Sequence, residues 1–245
     1  MPSEQTDQYF AWTIAAPITA AALGAGYWAA LVPTVVGISG RSWANIRSIV
    51  VIGFSATLMM LITTLLHLDK FHHTAPVSLP WFAAWVWILV YVLSPLLFLS
   101  LLISQMRTGG DNAPRVQPVP GIARAIGVIQ ALFGLAVGLA LFVLPESFGS
   151  QWLWTLTPLT SRALGAWMTA SGIAAACVVW ENDLPRARGT LYGLLAFGVL
   201  ELIVVARYTG AVSWSNTLAW AYVIYMASHV LLSLALLWYG RKRDA

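Results

Sequence analysis

The chain is built of long apolar runs separated by short polar breaks, and the runs exceed what the helices of a soluble core require. A helix rises about 1.5 Å per residue, so about 20 apolar residues cross the hydrocarbon layer of a bilayer. Seven runs meet that length: 11–38, 46–68, 80–106, 122–144, 158–180, 187–208 and 214–239. Within a bilayer each backbone N–H and C=O must be satisfied inside its own segment, so the runs are predicted as helices. The short alternating segments of an outer-membrane barrel do not occur. The predicted fold is all-α: a polytopic bundle of about seven transmembrane helices forming a single domain, 1–245.

The breaks carry their own signals. Pro17 and Pro33 lie near the two ends of the first run, and Pro95 predicts a kink in the third. The Gly109-Gly110 pair and the prolines at 114, 118 and 120 predict a flexible loop over 107–120. Segment 145–157 is too short to cross, and its Phe148, Trp152 and Trp154 predict a stretch at headgroup level. Thr157-Pro158 reads as an N-cap followed by an N1 proline. Gly134-xxx-Gly138, Gly189-xxx-Gly193 and the small residues Gly165, Ala166, Ser171 and Gly172 predict close helix approach. No Lys or Arg precedes Arg41, and the first run is too long for a signal-peptide core, so it reads as a retained span.

Composition agrees with the pattern. Apolar residues make up 59% of the chain and charged ones 9%, against roughly 45–50% and about 25% in soluble domains. The net charge of +4 follows from where the basic residues sit. Arg41, Arg47, Arg107, Arg115, Arg124, Arg186, Arg188, Arg241, Lys242 and Arg243 fall on one side of the seven spans; Lys70, Arg162 and Arg207 fall on the other. The positive-inside rule then predicts the N-terminus outside, the C-terminus in the cytoplasm, and residence in the cell inner (plasma) membrane. No basic helix or aromatic–basic platform supports nucleic-acid binding. The expected partners are the lipid bilayer and other membrane subunits or further copies of the chain. The lone Cys177 lies within an apolar run and reads as a packing residue.

Few residues could carry chemistry. Glu201 lies about seven residues, roughly 10 Å, inside the sixth span, where an ionisable group is a functional-site candidate that needs a partner. Arg162, about four residues into the fifth span from the same side, is the expected partner. The alternatives for the two are a structural ion pair and a headgroup or proton site. His229 lies within the seventh span, one turn beyond Tyr225 and two beyond Tyr222, and could relay protons, ligate a metal or haem, or hydrogen-bond a neighbouring helix. If the second helix continues past Leu68, Asp69 and His73 share a face with His72 adjacent, a spacing able to chelate a divalent metal. No lysine lies in any span, which excludes a retinal Schiff base. No Walker, CxxC, HExxH or GxSxG motif occurs.

The stretch Trp152-Leu-Trp-Thr-Leu-Thr-Pro-Leu-Thr-Ser-Arg162-Ala-Leu-Gly-Ala-Trp167 resembles a recurrent segment of uncharacterised bacterial multi-pass membrane proteins. The resemblance covers 121–208. It implies a bacterial membrane protein, draws attention to Arg162 and brings no activity or cofactor with it. The expected function is small-molecule or lipid binding or transport near the outer leaflet, around Glu201, Arg162, Tyr222 and His229. The alternatives are an accessory subunit of a membrane complex and a metal- or haem-dependent membrane enzyme.

Overall fold

The computed structural model describes residues 4–38, 42–108 and 114–244. A one-turn helix, α1 (Thr6–Tyr9), precedes seven long ones: α2 (Pro17–Ile38), α3 (Trp43–Leu66), α4 (Leu79–Thr108), α5 (Gly121–Val143), α6 (Pro158–Glu181), α7 (Leu184–Arg207) and α8 (Thr217–Asp244). All seven are long and apolar enough to cross a membrane. Among the described residues there is no strand, and the one β-type contact is an isolated bridge between Trp12 and Phe71. Two faces can be defined. The N-terminal face carries the start of α6 and the end of α7; the C-terminal face carries the α6–α7 turn. The expected flexible loop over 107–120 is described only in part. Its residues 114–120 have no regular secondary structure, and 109–113 lie outside the described residues.

The first long helix starts at Pro17, six residues later than the apolar run suggests. Proline disfavours helix for the residue before it and suits the first helical turn. The preceding segment is held extended instead. The Ile14 N–H donates to Thr6 Oγ1 at 2.8 Å, and the His72 N–H donates to the Ala11 carbonyl at 3.0 Å. Trp12 thereby lies buried among Phe10, Phe71 and Trp87.

Helix α6 is the centre of the bundle: 72% of its apolar window is buried, against 11% for α4 at the periphery. Its start is fixed as the sequence implies. Thr157 and Thr160 cap one another, each backbone N–H donating to the other's hydroxyl at 2.9 and 3.2 Å, with Pro158 next. Its end is fixed by Asn182, whose φ of 46° is left-handed, a conformation that asparagine tolerates better than most side chains. Small residues let α5 and α6 touch backbone to backbone. A Cβ added at Gly165 would stand 2.7 Å from the Gly138 carbonyl oxygen, and one added at Gly172 would stand 2.7 Å from the Leu135 nitrogen. Gly193 on α7 packs on the Pro33 ring, and Gly198 on the Met226 carbonyl.

Segment 144–157 departs from expectation. Trp152 and Trp154 are each 5% exposed and point into the bundle. Their rings stand edge-on to Tyr222 at 5.5 and 6.2 Å, and the Trp154 indole N–H donates to Thr19 Oγ1 at 2.9 Å. Short aromatic segments between apolar helices give the same sequence signal whether they face lipid or plug a bundle.

Gly172→Leu is expected to lower stability by at least the roughly 1–3 kcal/mol of ordinary overpacking, because backbone atoms cannot move aside. Gly24→Leu, where an added Cβ meets nothing within 4 Å, serves as control. Equal melting temperatures for the two variants in detergent would contradict this packing.

Candidate functional site

Glu201 lies on α7 six residues from Arg207, roughly 9 Å inside the helix end. It is fully buried. The Tyr222 hydroxyl donates to its Oε2 at 2.8 Å, and its Oε1 has no partner among the described residues. Tyr222, Tyr225 and His229 recur at helical spacing along one face of α8, and all three are buried. The Tyr225 hydroxyl lies 2.8 Å from Ser171 Oγ on α6, and Ser171 itself donates to the Met168 carbonyl. The His229 ring packs on Tyr225 at a centroid distance of 4.4 Å, and neither ring nitrogen has a partner among the described residues. Gln130 of α5 donates to Ser228 at 2.9 Å. A carboxyl, two phenols and an imidazole thus line a seam between α6, α7 and α8, with hydrogen-bonding capacity left over. A buried polar group with unmet capacity is costly in a low-dielectric interior.

Arg162 is not part of this seam. Its Nη1 donates to His67 Nε2 at 2.7 Å, so the expected pairing with Glu201 is corrected. Both residues lie at similar depth, which the sequence shows, but they face different neighbours. Arg162 follows Leu159 and precedes Ala166 on the face of α6 that packs with Met60 of α3, whereas Glu201 faces α8. Burial, and then the positive charge of Arg162, hold the His67 imidazole below its ordinary range.

The candidate metal group is also corrected. Helix α3 stops at Leu66, and two single-turn 3-10 helices follow, Leu68–Lys70 and His72–Thr74. Asp69 pairs with exposed Lys70 at 2.9 Å, and that contact holds its carboxyl below the usual range. His72 Nδ1 donates to the Phe10 carbonyl at 3.1 Å, and its Nε2 lies 3.2 Å from Thr13 Oγ1. His73 Nδ1 donates to the Phe71 carbonyl at 3.2 Å. Among the described residues, no three His, Cys, Asp or Glu side chains gather as a metal site requires.

The most connected polar group is one that sequence reasoning missed. Glu181, the last residue of α6, is fully buried and takes a two-pronged contact from Arg47 of α3: Nε at 2.5 Å and Nη2 at 2.6 Å. Ser48 donates to it at 3.3 Å, and Arg186 of α7 lies 3.6 Å away. Arg115 donates to the Glu181 carbonyl at 2.6 Å, while Asp183 accepts from the N–H groups of Val116 and Gln117 at 2.7 and 2.8 Å. A signal was present. An acid at a helix C-terminus and a base at a helix N-terminus each oppose their helix dipole, so Glu181 and Arg47 each called for an opposite charge on another helix.

No protein-family model matches the chain, and no curated protein or solved structure is significantly similar to it.

Two outcomes are expected. Glu181→Ala removes the carboxylate on which Arg47 and Arg186 converge and costs about 3–5 kcal/mol, as breaking a buried pair does; a loss below 1 kcal/mol in chemical unfolding would contradict the hub. For His67, whose imidazole is held low in the fold, stabilisation is complete above about pH 6.5. It is lost as the pH falls through the lowered folded value. The melting temperature should therefore drop between pH 7 and 5, and His67→Gln should flatten that drop.

Proposed function

We propose that the protein sits in the plasma membrane of a bacterium with its N-terminal face outward, and that the small species it moves through the α6–α7–α8 seam is the proton. Orientation rests on charge: Arg47, Arg115, Arg124, Arg186, Arg188, Arg241 and Lys242 are all on the C-terminal face, where the positive-inside rule favours them. The functional reading rests on one observation. Glu201 is fully buried within a span and, among the described residues, is hydrogen-bonded to Tyr222 alone and keeps an unused carboxyl oxygen. An intramembrane acid without a cation is by default a site that binds something. The seam is closely packed, which favours the smallest occupant, a proton, at Glu201 itself. His229, also with spare hydrogen-bonding capacity, stands as the next group inward.

Liposomes holding the protein and a trapped pH dye are expected to acidify faster than protein-free liposomes after an external acid step. Glu201→Gln should return the rate to the protein-free value. Equal rates for wild type and Glu201→Gln would overturn the reading. Tyr222→Phe should cost about 0.6–1.7 kcal/mol, the range for interhelical hydrogen bonds in membranes.

A second reading, an accessory subunit of a larger complex, draws on α4. That helix buries only Ala84, Tyr91 and Pro95 and exposes a long apolar face that another helix could cover as well as lipid does. A stoichiometric partner in native mass spectra of gently extracted protein would favour it.

A further inference from the structure

A cavity of about 200 Å³ lies between α2, α3, α6 and α7, with Phe98 of α4 at its edge. It is distinct from the Glu201 seam and sits toward the C-terminal face. Along α2 its lining runs from Gly26 to Thr34, and along α3 from Ile49 to Thr57. Eight residues of helix are about 12 Å, so the cavity is a slot whose long axis follows the helices and hence the direction of lipid chains.

The slot occupies an interval between two contacts of α2. At the deep end, Tyr27 of α2 and Tyr91 of α4 share a 2.6 Å hydroxyl contact, and the Trp167 ring lies against Gly26. At the shallow end Gly37 lies against Ile49. The lining is almost wholly apolar, and one lining residue, Thr34, is exposed on the outer surface of α2 beside the exposed Leu31 and Val35. The slot therefore has a side that meets bilayer hydrocarbon.

Two lining residues carry buried polar atoms without partners: the Thr190 hydroxyl and the Trp167 indole N–H. Thr190 is 3% exposed. It lies six residues into α7, roughly 9 Å from the C-terminal-face end, at the shallow end of the slot, so a carbonyl that reaches it is drawn below the ester level of the surrounding lipid. Trp167 lies about 12 Å deeper. An unmet hydroxyl at the shallow end of an apolar slot suits a ligand with one acceptor at its head and hydrocarbon below it.

We propose that the slot holds one acyl chain of a glycerolipid from the leaflet at the C-terminal face. The chain enters sideways between α2 and α3, and its ester carbonyl accepts a hydrogen bond from Thr190. This proposal does not depend on the Glu201 reading: Ser171 borders both the slot and the seam, but Thr190 and Ala56, which the test changes, belong to the slot alone.

The test is native mass spectrometry of protein purified in mild detergent, with extraction and identification of retained lipids. Wild-type protein should retain one acyl lipid per chain. Ala56→Phe, which fills the slot from α3, should reduce retention at least ten-fold. Thr190→Val should reduce it about three- to ten-fold, the loss of one hydrogen bond. Trp167→Phe, which removes the indole N–H but keeps an aromatic ring in the wall, should cost less retention than Thr190→Val, because the indole lies deeper than an ester carbonyl reaches. Monodisperse elution of each variant separates lipid loss from misfolding, and Thr190→Val, the smallest change, carries the test if Ala56→Phe does not fold. Retention indifferent to both Ala56→Phe and Thr190→Val would overturn the proposal. So would a prenyl quinone in place of acyl lipid, or retention lost in Trp167→Phe and kept in Thr190→Val, which would put the acceptor at the deep end.

Discussion

In a bilayer, apolar side chains gain nothing from leaving lipid for one another, so helices associate where packing is closest and where polar groups meet. Helix α6 satisfies both conditions along its whole length. Its glycines and alanines bring α5 into backbone contact, its Glu181 draws in Arg47 of α3, its Ser171 reaches Tyr225 of α8, and its Trp167 lies on Gly26 of α2. Helices α3, α5 and α7 pack on this one, α2 and α8 pack mainly on α7, and α4, held chiefly by α3, is the least buried of the seven.

The two faces of the bundle treat polar groups in opposite ways. On the C-terminal face, Glu181, Asp183, Arg47, Arg115 and Arg186 bind one another and the backbone of 115–119. That network fastens the α6–α7 turn to the segment before α5 and to α3. Toward the other face Glu201, and at mid-depth His229, are buried with capacity unspent. A densely satisfied network resists rearrangement, whereas a half-satisfied one is where occupancy by a proton or a polar solute changes the balance. Rigidity and responsiveness are thus separated along the membrane normal.

The sequence made the helices legible because their signal is length, and length is written in consecutive residues. The Thr157-Pro158 start and the glycine seams were equally local. Depth was legible too: Glu201 and Arg162 lie as far inside as counting residues implies. Which way each side chain faces was not, because a helix at fixed depth can turn any face to any neighbour, and Arg162 turned to His67. A chelating face over 67–73 requires α3 to continue through that stretch; the helix ends at Leu66 instead, and His72 holds Phe10. The slot between α2 and α3 had no sequence signature, since a void is made by the residues that stop short of it.

The hold of His72 on Phe10 and of Phe71 on Trp12 has a consequence for how the chain is made. The residues that dock the N-terminal segment, His72, Phe71 and Trp87, belong to the stretch between the second and third crossings and to α4. They are synthesised more than fifty residues after their partners. The segment around Phe10–Trp12 must therefore wait, undocked, until three helices have left the ribosome and entered the membrane. The latch that closes the N-terminal face is a late step of biogenesis, although it is written at the very start of the chain.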